Sequence, residues 1–420
     1  MFGSVQDPVG RRTGPGVCGR GARRGAVAVL AAGALLLAAG CTSQEGMESS
    51  AGQGASSPAG SPSASSGRSA SPSPSASRPA ADLPPAKGSA TVVSTLTEGL
   101  NSPWGLAALP GGDLLVGSRD KGTITRIDVK SGKKTLLGTV PGVAPAGEGG
   151  LLGIAVSPDF GTDHQVYAYF TTASDNRIAR MLYDENGSTP GQQLGAPDTI
   201  LRGIPKGTIH NGGRIAFGPD HMLYAGTGET GDDGHAQDKK SLAGKILRMT
   251  PDGDSLHGNP EADSVVYSYG HRNVQGLAWD ADKQLWASEF GQDTWDELNR
   301  IEPGGNYGWP DVEGTAHKKG FRDPVAQWKT SEASPSGIAF VKGSIWMAGL
   351  RGERLWRIPL SGDADKEPLA DPQAFLEGKY GRLRTVLAAG GDKLWLVTSE
   401  TDTRGTPKAG DDKILLLKVR

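Results

Sequence analysis

The sequence has little of what stabilises small exported domains or marks a nucleic-acid partner. Only two of its 420 residues are cysteine, which excludes a framework of disulfides. Aromatic residues make up 6% of the chain, and 44 Lys and Arg are interspersed with 46 Asp and Glu, without a basic patch that would favour nucleic acid. Gly is abundant instead, with 63 residues, which favours tight turns between short strands over long helices.

The first 40 residues have the organisation of a lipoprotein signal peptide. A leader with five arginines precedes an apolar run at 26–39, which is too short to span a bilayer comfortably and is closed by small residues. The sequence LAAGC then resembles a bacterial lipobox and predicts that Cys41 is lipidated, the alternative being an ordinary signal peptide with a chance cysteine. Arg23 and Arg24 leave twin-arginine export open. We expect an exported protein that touches the outer face of the cell membrane only through this anchor.

The segment 41–88 predicts a disordered tether. It consists mainly of Ser, Pro, Ala and Gly, and it has almost no aromatic or branched apolar side chains with which to bury a core. The folded domain is therefore expected to span 89–420. Because Cys18 lies in the leader, that domain has no thiol, and its stability must come from packing and sheet pairing.

From residue 89 onwards the chain repeats one pattern six times. The repeated unit begins with a short apolar strand of the form Gly-Leu/Ile-Ala, turns at Pro, Gly or Asp, and continues into a second strand rich in Leu, Tyr, Trp and Val. The copies lie at 104–118, 152–170, 213–227, 275–289, 336–350 and 384–399. One such sheet is only marginally stable by itself, so the sheets must pack on each other.

This repeat predicts an all-β fold, a six-bladed β-propeller of four-stranded antiparallel blades. Most copies continue into a third strand whose apolar residues alternate, which gives one buried face. The last strand, KILLLKV at 413–419, is expected to pair with TVVSTL at 91–96 and so to close the ring. A sandwich of two sheets is the alternative.

Conspicuous polar and glycine-rich segments fall on turns and strand ends, where a propeller gathers them at one end of its channel. They are GEGGLLGIA (147–155), HNGGR (210–214), GHRNVQGL (270–277), SEFG…DELN (288–299) and NYGWP (306–310). Together they resemble the soluble quinoprotein glucose/aldose dehydrogenases, a glucose/sorbosone dehydrogenase-like family that binds pyrroloquinoline quinone (PQQ) and calcium. The resemblance covers essentially all of 89–420.

The resemblance implies roles for five polar residues. His210 would be the general base that takes the proton of a sugar hydroxyl while hydride passes to the quinone. Arg272, followed by Asn273 in the family's Arg-Asn pair, would lie against the quinone oxygens and stabilise developing negative charge. Arg382 and Arg384 would bind the cofactor's carboxylates, since a spacing of two places both on one strand face. From the residues alone, a structural histidine, an inter-blade salt bridge and surface charges are the alternatives.

The resemblance also implies a calcium site and exposes two departures. Gly291 and Gln292 occupy the positions whose backbone carbonyls ligate calcium, with Gln292 where the family often has Pro. Glu148 stands where the family has Gln, and Arg351 where it has Lys. An acid beside a tricarboxylate cofactor is repulsive unless it is protonated or a cation offsets it. We expect Glu148 and Arg351 to share a pocket and compensate each other; the alternative is a weakened or lost cofactor site.

The first functional hypothesis is a quinoprotein aldose sugar dehydrogenase, which oxidises the C1 hydroxyl of an aldose to the lactone and passes electrons to an external acceptor. One alternative is a non-enzymatic, lipid-anchored propeller that binds sugar or a protein partner. Another is a metal-dependent lactonase or other hydrolase, which would need inward Asp, Glu, Asn or His ligands around an axial metal. Sugar specificity is expected in the rim loops 228–240 and 311–335.

Overall fold

The structure is a computed structural model and describes residues 83–187, 189–361 and 368–420. The predicted signal peptide, Cys41 and nearly all of the predicted tether lie outside the described residues. Across the described ranges the chain forms 24 strands and two four-residue helices, which confirms the all-β prediction. No helix in this described part is long and apolar enough to cross a membrane.

The strands follow one another along the chain with short connections. In chain order they are β1 (Ala90–Thr97), β2 (Pro103–Ala108), β3 (Leu114–Ser118), β4 (Thr123–Ile127), β5 (Lys134–Thr139), β6 (Leu151–Val156), β7 (Gln165–Thr171), β8 (Asn176–Leu182), β9 (Asp198–Ile204), β10 (Ile215–Phe217), β11 (Leu223–Gly226), β12 (Lys245–Met249), β13 (Val266–Tyr269), β14 (Val274–Trp279), β15 (Leu285–Glu289), β16 (Trp295–Ile301), β17 (Ala326–Lys329), β18 (Pro335–Val341), β19 (Ser344–Gly349), β20 (Arg354–Pro359), β21 (Gln373–Phe375), β22 (Leu383–Ala388), β23 (Lys393–Thr398) and β24 (Ile414–Val419). The helices are α1 (Phe160–Asp163) and α2 (Gly234–Gln237).

These strands form six antiparallel sheets of four, which confirms the six-bladed propeller. Blades 1 to 5 each use four consecutive strands, from β2-β3-β4-β5 to β18-β19-β20-β21. Blade 6 has the order β22-β23-β24-β1, so the first strand completes the last blade. In this pair Val92 lies opposite Leu417, as the predicted ring closure requires.

The hydrophobic core lies between neighbouring blades. In one cluster Leu115 and Ile124 of blade 1 pack with Ile154 and Phe170 of blade 2, and all four are almost completely buried. Each buried apolar side chain of this size contributes about 1.5–3 kcal/mol. The alternation of apolar and polar residues along the strands therefore provides the apolar side chains that pack between blades.

In four of the six repeats, a glycine sits where the innermost strand approaches that of the next blade. A Cβ at Gly105 would come within 2.6 Å of the Leu152 carbonyl oxygen of the next blade. The Gly153 N–H donates to the Gly213 carbonyl at 3.0 Å, which joins blades 2 and 3 directly. Only glycine permits this approach, and the inner strands are thereby drawn together around the channel.

Candidate functional site

One cavity of 620 Å³ opens where the inner strands of several blades begin. Five of the predicted site residues line it, namely Glu148, His210, Arg351, Arg382 and Arg384. Residues that the sequence did not indicate also line it, among them Trp104, Arg119, Asp402 and Arg404. The volume is in the usual range for a small-molecule or cofactor site, roughly 300–1,000 Å³.

The cavity carries an excess of positive charge. Its lining includes five arginines but only two carboxylates, Glu148 and Asp402, which leaves three positive charges in excess. A concave surface with one sign of charge concentrates the field and attracts ligands of the opposite charge. The donor set therefore fits a compact polyanion.

His210 is held by two carboxylates. Its Nδ1 is hydrogen-bonded to the buried side chain of Glu229, which the sequence reasoning missed. Its backbone N–H donates to Glu148 Oε2 at 2.9 Å, and its φ of 52° is in the left-handed region. Because Nδ1 is engaged, Nε2 is the ring nitrogen available to accept a proton from a ligand in the cavity.

Arg272 and Asn273 stand behind the His210 loop and outside the cavity lining. Asn273 is fully buried, and its Oδ1 accepts the Gly212 N–H at 2.9 Å. The Arg272 carbonyl accepts the Glu229 N–H at 2.8 Å. The Arg272 guanidinium lies against the Trp309 ring, 5.3 Å from its centroid. In this structure both residues support the loop and its acid rather than the cavity wall.

The predicted calcium segment is a tight loop around a carboxylate that the sequence reasoning also missed. Glu313 Oε1 accepts the N–H groups of four consecutive residues, from Gln292 at 2.6 Å to Trp295 at 3.2 Å. A Cβ at Gly291 would overlap the Trp295 carbonyl, so only glycine fits there. The Gly291 carbonyl itself accepts Arg272 Nη1 at 2.6 Å. In this structure a guanidinium thus occupies the carbonyl oxygen that the resemblance assigns to calcium.

The structure places the predicted arginine pair on one face. Arg382 precedes β22 and Arg384 lies within it, and both donate to Asp402 Oδ2, at 3.0 and 2.8 Å. Burial opposes ionisation of Asp402, but the two guanidiniums hold its pKa at about 2. Arg384 also donates to Gln275 Oε1 at 3.0 Å. Asp402 therefore keeps both cations pre-arranged at the cavity wall.

Glu148 and Arg351 share the cavity as expected, but they do not form the expected pair. Glu148 Oε1 accepts Arg404 Nη2 at 2.7 Å, so Arg404 is the cation that offsets the acid. Arg351 is exposed and makes no hydrogen bond or ion pair with the described residues. Arg404 was missed because it lies in a loop whose neighbours cannot be inferred from spacing.

The described residues contain no group of three or more His, Cys, Asp or Glu side chains placed to hold a metal ion. The oxygens that the resemblance assigns to calcium are main-chain carbonyl oxygens. Calcium binds these as readily as carboxylate oxygens. Glu297 and Asp296 lie near that segment and are largely buried. Burial, together with the charge of Glu289, raises the pKa of Glu297 to about 8.

Comparison with known proteins gives a consistent family match. A model of the family "Glucose / Sorbosone dehydrogenase" matches residues 100–409. Quinoprotein glucose dehydrogenase B of Acinetobacter calcoaceticus is 32% identical over 254 residues, which are 53% of this chain and 53% of that protein. An aldose sugar dehydrogenase of Escherichia coli is 28% identical over 315 residues, 73% of this chain and 82% of that protein.

A solved structure agrees with these sequence matches. The PQQ-bound form of aldose sugar dehydrogenase from Streptomyces coelicolor is 72% identical. The match covers 80% of this chain and 100% of the Streptomyces coelicolor chain, with a TM-score of 0.78. The segment matched by the family contains every cavity residue named above.

Proposed function

Because the chain belongs to the glucose/sorbosone dehydrogenase family, we propose that it is an aldose sugar dehydrogenase that uses PQQ and calcium. It oxidises the C1 hydroxyl of an aldose to the lactone and passes the two electrons to an external acceptor. One observation carries this proposal: a histidine with a free Nε2 and a carboxylate-bound Nδ1 opens on the same cavity as five arginines.

The cavity suits a tricarboxylate such as PQQ. Its excess of three positive charges matches the charge of that ligand. Arg382 and Arg384 would bind carboxylates through guanidinium forks, and Arg351 offers a guanidinium without a described protein partner. Calcium would be held by the Gly291 and Gln292 carbonyls. The Arg272 guanidinium, which is hydrogen-bonded to the Gly291 carbonyl in this structure, would then have to share that oxygen with calcium or release it.

His210 performs the proton transfer. Its Nε2 takes the proton of the C1 hydroxyl, and the imidazolium that results is stabilised by the Glu229 carboxylate at Nδ1. Glu229 thereby also fixes the tautomer, as an orienting acid does beside any histidine base. When bound, PQQ would supply the two-electron redox chemistry, which no side chain of the protein supplies. The cavity arginines stabilise negative charge near the reaction, and Arg272 adds its charge from behind the His210 loop.

Reconstitution tests this function directly. The purified protein is mixed with calcium and PQQ, and an aldose and an electron-accepting dye are added. Binding of PQQ with a change in absorbance, dye reduction that depends on aldose, and lactone detected by NMR are expected. Sugar binding without PQQ binding or dye reduction would contradict the proposal and would favour the non-enzymatic binding propeller.

Export and anchoring are a separate part of the proposal. The lipobox-like LAAGC supports lipidation of Cys41, and the Ser/Pro-rich segment supports a tether that holds the propeller away from the membrane. Native protein is expected in the membrane fraction, and the Cys41→Ala variant in the medium or soluble fraction. Equal fractionation of the two proteins would contradict the anchor.

A further inference from the structure

Arg214, the last residue of HNGGR, is a buried cation without an acidic partner among the described residues. It is 7% exposed. Its Nε donates to the Gln275 carbonyl of blade 4 at 2.8 Å, and its Nη2 donates to Thr385 Oγ1 of blade 6 at 3.0 Å. Both acceptors are neutral. The side chain therefore reaches across the channel, but its charge is not neutralised there.

Arg214 lies directly behind the wall of the cavity. Its guanidinium is 4.3 Å from the centroid of the Trp104 ring, and Trp104 lines the cavity. Arg384, which also lines the cavity, is 5.8 Å from the same ring centroid. The positive charges of Arg214 and Arg384 thus both lie close to the Trp104 ring at the cavity wall.

This arrangement is costly for the empty protein. A cation taken from water without a counter-ion loses solvation that neutral hydrogen bonds restore only in part. Burial, together with the nearby charge of Arg384, lowers the pKa of Arg214 to about 9. The two neutral acceptors satisfy N–H groups of the guanidinium but do not neutralise its charge, so bridging of the blades alone does not explain a charged side chain here.

We propose that Arg214 strengthens the binding of anionic PQQ through its charge, from behind the cavity wall and without touching the ligand. This inference rests on the proposed function. An anion in the cavity is the counter-ion that Arg214 lacks, and the dry, low-dielectric surroundings let the attraction act over more than one layer of side chains. The same charge that destabilises the empty protein stabilises the loaded one.

The test compares Arg214→Gln and Arg214→Lys in the full-length protein. Calorimetric titration with PQQ in calcium buffer gives Kd, and thermal unfolding is measured with and without PQQ. Arg214→Gln is expected to weaken PQQ binding about tenfold or more, while the unfolding temperature without PQQ stays equal or rises. Arg214→Lys keeps the charge and is expected to retain most of the affinity.

Arg248→Gln is the matched control. Arg248 lies on β12 in the same blade, where it pairs with Asp220 at the outer side, so its loss should leave Kd unchanged. If Arg214→Gln binds PQQ as tightly as the native protein, the inference is overturned. It is also overturned if both Arg214 variants weaken binding equally and both destabilise the empty protein, since that is a structural role. If the native protein binds no PQQ, the proposed function itself fails.

Discussion

Arg404 and Glu148 form an ion pair across the cavity, with 2.7 Å between Nη2 and Oε1, although they are 256 positions apart in the chain. The other carboxylate oxygen of Glu148 accepts the backbone N–H of His210. The pair therefore links the loop after Asp402 to the loop that carries the proposed base. Since the guanidinium of Arg404 offsets the charge of Glu148, this acid repels an anionic ligand less strongly.

Removal of these two charges should not have additive effects on PQQ affinity. Arg404→Gln alone is expected to weaken PQQ binding, because it leaves Glu148 uncompensated next to the ligand. Glu148→Gln alone should leave binding unchanged or tighten it. A double-mutant cycle on Kd should give a coupling energy of at least about 0.5 kcal/mol. The same cycle with Arg351 in place of Arg404 is the control and should be close to additive; coupling only with Arg351 would contradict the pairing.

Glu229→Gln should lower turnover without loosening PQQ. Gln keeps the size of the side chain but cannot stabilise the imidazolium, and its amide can donate to Nδ1 and so favour the wrong tautomer of His210. A fall in kcat of at least about tenfold is expected, with the Kd of PQQ within about twofold of the native value, the scatter of such measurements. Unchanged kcat in the reconstituted variant would show that Glu229 does not orient the base.

The raised pKa of Glu297 makes the stability of the fold depend on pH. Its folded-state pKa of about 8 is above the ordinary value of 4.5, so the native state holds a proton that the unfolded chain releases. This contribution to stability is complete below the ordinary pKa and is lost as pH rises towards about 8. Glu297→Gln removes the titration, so its unfolding temperature should fall less than the native one between these two pH values. Parallel curves for the two proteins would contradict the assignment.

Removal of calcium should release the cofactor. With calcium bound to the Gly291 and Gln292 carbonyls and to PQQ, the metal binds mainly as part of the loaded complex and adds to its stability. Exhaustive chelation is expected to abolish dye reduction and to lower the unfolding temperature of the PQQ-loaded protein, and added calcium should restore both. The PQQ-free protein is the control and should unfold at the same temperature with or without chelator. Full activity after chelation would refute the calcium site.

The fold was predictable because the repeats specify it locally. Each copy carries its own strands and turns, and four of the six carry the glycine that lets inner strands meet, so Gly105 and Gly153 are equivalent positions of the repeat. The common face of Arg382 and Arg384 followed from their spacing of two, but only the family resemblance assigned the pair to a pocket. Residues that loops bring to the cavity from distant parts of the chain, such as Asp402 and Arg404, could not be predicted in this way.

A recurring acid at the end of the second blade strand was a signal that the sequence contained. Glu229, Glu289 and Glu400 follow or end β11, β15 and β23. Glu289 binds the backbone N–H of Arg272, and Glu400 that of Arg382 at 2.6 Å. These acids hold the residue that precedes or begins an inner strand, whereas Glu229 binds the His210 ring. Comparison of these three copies would have directed attention to Glu229.

The most direct test of the proposed chemistry is turnover by His210→Ala after reconstitution with PQQ and calcium. If His210 takes the hydroxyl proton, the variant should bind PQQ with nearly native affinity and unfold at a similar temperature. Its kcat for aldose oxidation should be lower by about two to four orders of magnitude. A fully loaded His210→Ala protein that oxidises the sugar at close to the native rate would contradict the role of His210 as the base.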